Sequence, residues 1–108
     1  MRTLPGEQAD YLRFIETNWA VARAEVARQG DVVGYEVLAR EPDGEHWDVM
    51  LITEYASRDA YERREATFGA LFERPAFQMK PVNGKGPRDM AEFVGTSTAA
   101  SRQVLGTR

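Results

Sequence analysis

His46 is the only histidine among the 108 residues, and the chain contains no cysteine. Catalysis by a Ser-His-Asp triad, a histidine metal site or a haem-ligating histidine would each have to use this one side chain. Its position beside a predicted turn is typical of a structural or solvated residue. Without cysteine, disulfides, thiolate metal sites and cysteine nucleophiles are excluded. The sequence therefore predicts no metal and no cofactor, and it leaves open whether the protein is an enzyme.

Two carboxylates, Glu36 and Glu54, lie on one face of two predicted neighbouring strands, offset along them. A buried carboxylate has a raised pKa and can act as a general acid or base. The alternative is that each glutamate pairs with an arginine, such as Arg40 or one from a partner chain, or meets water.

Aromatic residues with polar tips are concentrated in the apolar segments: Tyr11, Trp19, Tyr35, Trp47 and Tyr55. Such residues pack in a core and hydrogen-bond through their tips, or they line a pocket for a flat ligand between sheet and helices. Both interpretations stay open. With the two glutamates, the candidate ligand-binding residues are Tyr11, Trp19, Glu36, Glu54 and Tyr55.

The first element that must position these residues is a long helix, predicted over residues 6–29. Phe14 and Val21 lie off its main apolar stripe and form a second ridge. This ridge indicates a contact with the C-terminal tail or with another subunit, although isolated exposed apolar residues are the alternative. The main stripe has the spacing of one helix face and consists of Leu12, Ile15, Trp19, Ala22 and Val26, with Tyr11 at its edge.

A β-hairpin is predicted next, with strands over 31–40 and 46–55 around the turn sequence Glu41-Pro42-Asp43-Gly44-Glu45. If Glu41 faces Glu45, one face of the hairpin is almost wholly apolar and lies beneath the helices, whereas the other mixes apolar residues with carboxylates. Because both faces carry apolar side chains that are expected to be at least partly buried, a second layer is predicted to pack on the mixed face. The apolar face is Val33, Tyr35, Val37, Trp47, Val49, Leu51 and Tyr55, and the mixed face is Val32, Gly34, Glu36, Leu38, Asp48, Met50, Ile52 and Glu54.

A second helix is predicted over 58–73, with Ser57 as its N-cap and Pro75 after its end. Residues 81–87 form a loop, and the segments 90–94 and 103–105 can each be a last strand or a ragged helix. We expect one domain over 1–108, with a packed core over about 4–80 and an irregular tail over 81–108, in which a last strand is one of the two alternatives. The inner side of the second helix is Tyr61, Arg64, Phe68, Leu71 and Phe72.

The composition narrows the range of partners. The net charge is −3 and the 14 basic residues form no block, so nucleic acid is not expected as a partner. No apolar run approaches the roughly 20 residues of a membrane span, and residues 1–5 show no signal-peptide core. We therefore expect a protein of the cytoplasm without a membrane partner.

The order helix, strand, turn, strand, helix predicts an α+β fold, namely a ferredoxin-like plait with an antiparallel sheet and two helices on one face. Only four residues precede Pro5, so either the first strand of the plait is a stub or the chain begins late. The opening Leu4-Pro5-Gly6-Glu7-Gln8-Ala9-Asp10-Tyr11 resembles that of members of the dimeric α/β-barrel superfamily, which includes antibiotic-biosynthesis-monooxygenase-like and NIPSNAP-like domains. The stretch 53–61, with Ser57, Ala60 and Tyr61, is similar to another element of that group.

This resemblance covers roughly residues 4–73 and implies a homodimer whose sheets pack open face to open face, with Glu36 and Glu54 near an interface or cavity. Some cofactorless oxygenases use an Asn and a Trp, but the adjacent Asn18 and Trp19 are expected on different sides of an α-helix. The hypothesis is a domain that binds a small apolar or aromatic molecule beside the sheet, with cofactor-independent monooxygenase-like activity as the reaction that the resemblance allows. The alternative is a non-enzymatic homodimeric interaction or structural module.

Overall fold

A computed structural model describes residues 1–98, which form a small α+β domain, as the sequence predicts. The predicted long helix is present but contains a π-helical segment, and the predicted second helix is divided in two. The segment 103–105 lies outside the described residues. The elements are β1 (Arg2–Thr3), α1 (Gln8–Phe14), the π-helical segment (Ile15–Trp19), α2 (Ala20–Arg28), β2 (Val32–Ala39), β3 (Val49–Tyr55), α3 (Arg58–Glu62), α4 (Arg64–Phe72) and β4 (Ala91–Glu92).

The strands form two antiparallel pairs, β1 with β4 and β2 with β3. Backbone hydrogen bonds of Met1 join the pairs: its nitrogen donates to the Val49 carbonyl at 2.8 Å, and its carbonyl accepts from the Val49 nitrogen at 3.2 Å. Thus β1 is a two-residue strand beside the start of β3. Strand β4, the last one in the described part of the chain, falls within the predicted segment 90–94.

The hairpin register differs from the prediction by two residues. Val37 lies opposite Leu51 and Ala39 opposite Val49, so the connection between the strands is longer than a tight turn around Glu41 and Glu45. The prediction that these two glutamates face each other is therefore wrong. Side chains alternate with a period of two, so a shift of two residues leaves each on its predicted face.

A bulge between Val32 and Gly34 changes the faces at the start of β2. Val32, opposite Tyr55, is 2% exposed, whereas Val33 is 62% exposed. The sequence predicts the reverse, with Val33 inside and Val32 on the mixed face, and that prediction is wrong. The extra residue of a bulge breaks the alternation of side chains that the prediction assumes.

Two apolar clusters fill the interior, one under α1 and one between α2, β2 and α4. Because Met90 and Ala91 belong to the first cluster, the packed interior reaches beyond residue 80. The first cluster consists of Tyr11, Phe14, Ile15, Val49, Val82, Met90 and Ala91, and the second of Ala22, Val26, Val32, Phe68 and Leu71.

The predicted Phe14–Val21 ridge does not exist, because Phe14 is buried in the first cluster while Val21 remains 44% exposed. The π-helical segment between them explains the difference. A π-helix has i→i+5 hydrogen bonds and more residues per turn than the 3.6 of an α-helix. The residues that face the core in α1 and in α2 therefore do not follow one continuous α-helical spacing.

The predicted N-cap of the second helix is confirmed, since the Ser57 hydroxyl accepts a hydrogen bond from the Ala60 nitrogen at 3.0 Å. Arg63 interrupts the helix and donates two hydrogen bonds to Asp31, at 2.7 and 3.0 Å. Phe68 is buried as predicted, but Phe72 is 47% exposed. The break at Arg63 separates Tyr61, which lies in α3, from the other residues of the predicted inner side, which lie in α4.

Asp48 is a buried carboxylate at the meeting point of β1, α1 and β3, with 1% of its surface exposed. It accepts hydrogen bonds from the Thr3 nitrogen at 2.7 Å, from the Thr3 hydroxyl and from the Gln8 side-chain nitrogen at 3.1 Å. Its predicted place on the mixed, partly solvated face of the hairpin is wrong. Hydrogen bonds with several donors offset the cost of burying its charge.

The substitution Asp48→Asn should lower the free energy of unfolding by about 3 kcal/mol, because it removes the charge and turns an acceptor into a donor beside the Thr3 donors. Urea denaturation followed by circular dichroism measures the loss. Glu45→Gln, an exposed change in the same connection, is the control and should have little effect. Equal stability of the two variants would contradict a structural role for Asp48.

Candidate functional site

A partly open cavity of about 470 Å³ lies between the long helix, β3 and the segment 72–79. This volume falls in the range of small-molecule sites. Most lining side chains are apolar, and Asn18 and Arg23 are the main polar ones. Five aromatic rings line the cavity: Tyr11, Phe14, Trp19, Phe72 and Phe77.

The π-helical segment forms one wall of this cavity, and Asn18 and Trp19 both line it. The expectation that these adjacent residues serve different sides is therefore wrong. It assumed regular α-helical geometry, and π segments of a single turn are frequent at functional sites.

The Asn18 side chain fastens the cavity wall. Its nitrogen donates to the carbonyls of Phe14 at 3.1 Å and Lys80 at 2.9 Å, and its oxygen accepts from the Lys80 nitrogen at 2.6 Å. The Phe14 carbonyl is the one that the backbone nitrogen of Asn18 would use in an α-helix. Asn18 therefore holds residue 80 and the adjoining wall against the helix, and its amide is occupied by these bonds.

Arg23 places a positive charge in the apolar wall. Its guanidinium lies 4.7 Å from the centre of the Trp19 ring and 4.3 Å from that of Phe68, and its Nε donates to the Thr53 hydroxyl at 3.3 Å. Burial lowers the pKa of Arg23, and the nearby Tyr55 raises it in part. An arginine remains protonated at physiological pH, so the cavity carries a permanent cation.

Tyr11 lies at the other end of the cavity and is 2% exposed. Its hydroxyl makes no hydrogen bond within residues 1–98 and is not fully buried, since every fully buried side-chain oxygen there has a partner. Burial, together with the negative charge of Asp48, raises the pKa of Tyr11 to about 12. The phenol is therefore neutral at physiological pH and can donate a hydrogen bond to a ligand.

The five residues predicted for one ligand site are divided between two surfaces. Tyr11 and Trp19 line the cavity, whereas Glu36, Glu54 and Tyr55 line a separate groove of about 1850 Å³ beside the open face of the hairpin. The two glutamates share that face, as predicted, and both are exposed. Neither glutamate lines the cavity, and Tyr55 lies near its Arg23 end, so the five residues do not form one site.

Sequence reasoning missed Arg23 and the segment around Phe77 and Met79 as parts of the site, and it set Asn18 aside. For Arg23 a local signal exists, because it follows Trp19 by four residues and therefore shares a helix face with it. For Phe77 and Met79 no local signal exists, since only the course of the chain after α4 brings them to the helix.

Within residues 1–98, no cluster of three or more potential metal ligands is present. His46 is exposed and pairs with Asp43, at 2.7 Å between its Nδ1 and a carboxylate oxygen. In the same part of the chain, no helix has both the length and the apolar character to cross a membrane.

No family model, curated protein or solved structure matches the chain. The resemblance to the dimeric α/β-barrel superfamily therefore stays an expectation from short sequence patterns.

The buried Tyr11 phenol predicts a loss of stability in alkali. The folded state binds this proton more tightly than the unfolded state, whose tyrosine pKa is 10.0. Its contribution is thus complete below about pH 10 and is lost as the pH rises towards about 12. From about pH 9 to about pH 11, this group should lower the free energy of unfolding by roughly 1.4 kcal/mol.

Urea denaturation at both pH values tests this prediction. Between these pH values, Tyr11→Phe should lose less free energy of unfolding than the wild type, because the variant lacks the titrating phenol. Tyr61→Phe, which changes a partly exposed ring, should lose as much as the wild type. If wild type and Tyr11→Phe lose stability equally, Tyr11 does not have a raised pKa in the folded protein.

Proposed function

We propose that this protein binds a small apolar or aromatic molecule in the cavity beneath the long helix. The observation that carries the proposal is a space of about 470 Å³ walled by five aromatic rings, with few polar groups to orient a ligand. Concave sites of this size and character are where small molecules bind. Trp19 contributes a large planar face to the wall, and its own edge-to-face partner is Tyr35, at 6.0 Å between ring centres.

Cofactor-independent monooxygenase-like turnover of that ligand is the reaction that the family resemblance adds to the proposal. The described residues that line the cavity include no carboxylate and no histidine. The neutral Tyr11 phenol can donate a hydrogen bond to a developing oxyanion, but it is a poor base with a pKa of about 12. We therefore propose ligand binding as the main function and turnover of the ligand as a secondary one.

The ferredoxin-like plait belongs to the same proposal. The order of the described elements supports it, because a short strand, the long helix, two hairpin strands, a divided helix and a further short strand follow one another along the chain. The long helix and α4 pack on one side of the hairpin through the second cluster. The other side of the hairpin is open, as this arrangement requires.

Phenylnaphthylamine, a neutral aromatic probe whose fluorescence rises in apolar surroundings, tests the binding proposal. We expect saturable binding to the wild type and an affinity about tenfold lower for Leu51→Trp, because the larger ring fills space that Leu51 leaves open. Thermal melts confirm that the variant is folded.

The matched control is Ala24→Trp, which adds the same ring at an exposed position of α2. It should bind the probe like the wild type. The proposal fails if the wild type shows no saturable binding, or if both tryptophan variants bind as the wild type does.

A second candidate function, a homodimeric interaction module, is favoured by the open face of the hairpin. Leu38 and Met50 lie opposite each other on that face and are 43% and 37% exposed, and Val33 is more exposed still. Phe93, beside the same groove, is 69% exposed. Exposed apolar side chains such as the Leu38–Met50 pair are typical of interaction sites, and the family resemblance implies a second copy of the chain as the partner.

Native mass spectrometry tests this candidate. The double substitution Leu38→Glu and Met50→Glu should convert dimer to monomer, because it places four added carboxylates at one two-fold interface. Val21→Glu changes an exposed apolar residue of α2 and should leave the dimer intact. A wild-type protein that is monomeric at micromolar concentration would contradict the dimer.

A further inference from the structure

Arg23 differs from the partnered arginines of the described chain in having neither a carboxylate nor a backbone carbonyl as its partner. Arg40 donates to the Trp47 carbonyl and Arg64 to the Tyr61 carbonyl, although both also lie over aromatic rings. Arg63 pairs with Asp31. Arg23 has only the Thr53 hydroxyl and two ring faces.

The positive charge of Arg23 is therefore uncompensated within residues 1–98, where no salt bridge to it is present. Residues 99–108 contain no aspartate or glutamate, so their side chains cannot neutralise it either. Arg23 is half-buried, and ring faces only partly replace the water that such a cation loses. An anion bound in the cavity would neutralise the charge of Arg23 and replace its lost water.

The donors of Arg23 are available for such an anion. A guanidinium has five N–H groups, and the Thr53 bond uses one of them, which leaves four. Every fully buried side-chain nitrogen and oxygen in the described chain has a hydrogen-bond partner. The remaining N–H groups of Arg23 are thus not sealed in the protein, and Arg23 lines the cavity.

We infer that the cavity is specific for organic acids: an aromatic or aliphatic body lies along the ring-lined wall, and its anionic group binds the Arg23 guanidinium. This inference rests on the proposed function and names the ligand class of the same cavity. The planar fork of arginine suits the two oxygens of a carboxylate or of a sulfonate. The Trp19 and Phe68 rings hold the fork in place, so little side-chain freedom is lost on binding.

The position of Arg23 indicates how the ligand lies. Tyr11 and Arg23 are twelve residues apart on one helix, which separates them by roughly 18 Å along its axis. Both line the same cavity. The acid group therefore belongs at the α2 end, and the apolar body extends towards the π-helical segment and the neutral Tyr11 phenol.

The test compares two probes of one skeleton, the neutral phenylnaphthylamine and its sulfonated analogue anilinonaphthalene sulfonate. We expect the wild type to bind the sulfonate more tightly than the neutral probe, and Arg23→Met to reduce this preference about tenfold or more. Methionine keeps an apolar, polarisable chain between the two rings while removing the charge. Arg23→Lys, which keeps the charge, should retain part of the preference.

Arg13→Gln is the control for net charge, since it removes an exposed arginine from α1, and it should leave the preference unchanged. The inference is overturned if Arg23→Met keeps the wild-type preference, or if Arg13→Gln lowers it equally. A wild type that binds neither probe contradicts the proposed function itself. Saturable binding of the neutral probe without any preference for the sulfonate leaves the proposed function standing and overturns the organic-acid inference alone.

A second measurement needs no variant and therefore does not depend on the folding of the Arg23 substitutions. Naphthoate and naphthamide have the same ring system, and they differ in charge at the group that would meet Arg23. Calorimetry should give an affinity for naphthoate about tenfold higher than for naphthamide. Equal affinities would overturn the inference.

Discussion

The buried carboxylate of Asp48 is the constraint on which the rest of the domain depends. A charge that is 1% exposed needs hydrogen-bond donors, and Thr3 and Gln8 supply them. These donors come from β1 and from the first turn of α1, so satisfying one side chain fixes two elements against the start of β3. The same carboxylate also contributes to the raised pKa of Tyr11. The carboxylate that holds β1 and α1 in place thus also helps to keep the Tyr11 phenol neutral at one end of the cavity.

The cavity exists because polar contacts hold the long helix at several points along its length while apolar side chains occupy the space between them. Gln8 binds Asp48 at the start of α1, Asn18 binds the backbone of Lys80 in the middle, and Arg23 binds Thr53 on β3. The π-helical segment lies between the first and last of these contacts. Phe14, just before this segment, and Trp19, at its end, both line the cavity.

The β2–β3 hairpin separates the two candidate functions. Its inner face, with Val49 and Leu51, adjoins the first cluster and the cavity, and its outer face leaves Leu38 and Met50 exposed. A ligand under the helix and a second copy on the open face could therefore be bound together. Glu36 and Glu54 belong to the outer surface, and neither lines the cavity.

Periodicity and turn chemistry were enough to predict an α+β domain, the extent of the long helix, the two hairpin strands and the Ser57 cap, because each follows from interactions between residues close together in the chain. The same reasoning placed Tyr11 and Trp19 together on the helix. It did not reveal the π-helical segment, the bulge at Val33 or the burial of Asp48. These features were decided by the tertiary structure, because each results from partners distant in the chain: Asn18 with Lys80, Val32 with Tyr55 and Asp48 with Thr3. The cation in the cavity is of the same kind, since only packing shows that Arg23 lies against two aromatic rings with no carboxylate partner in residues 1–98.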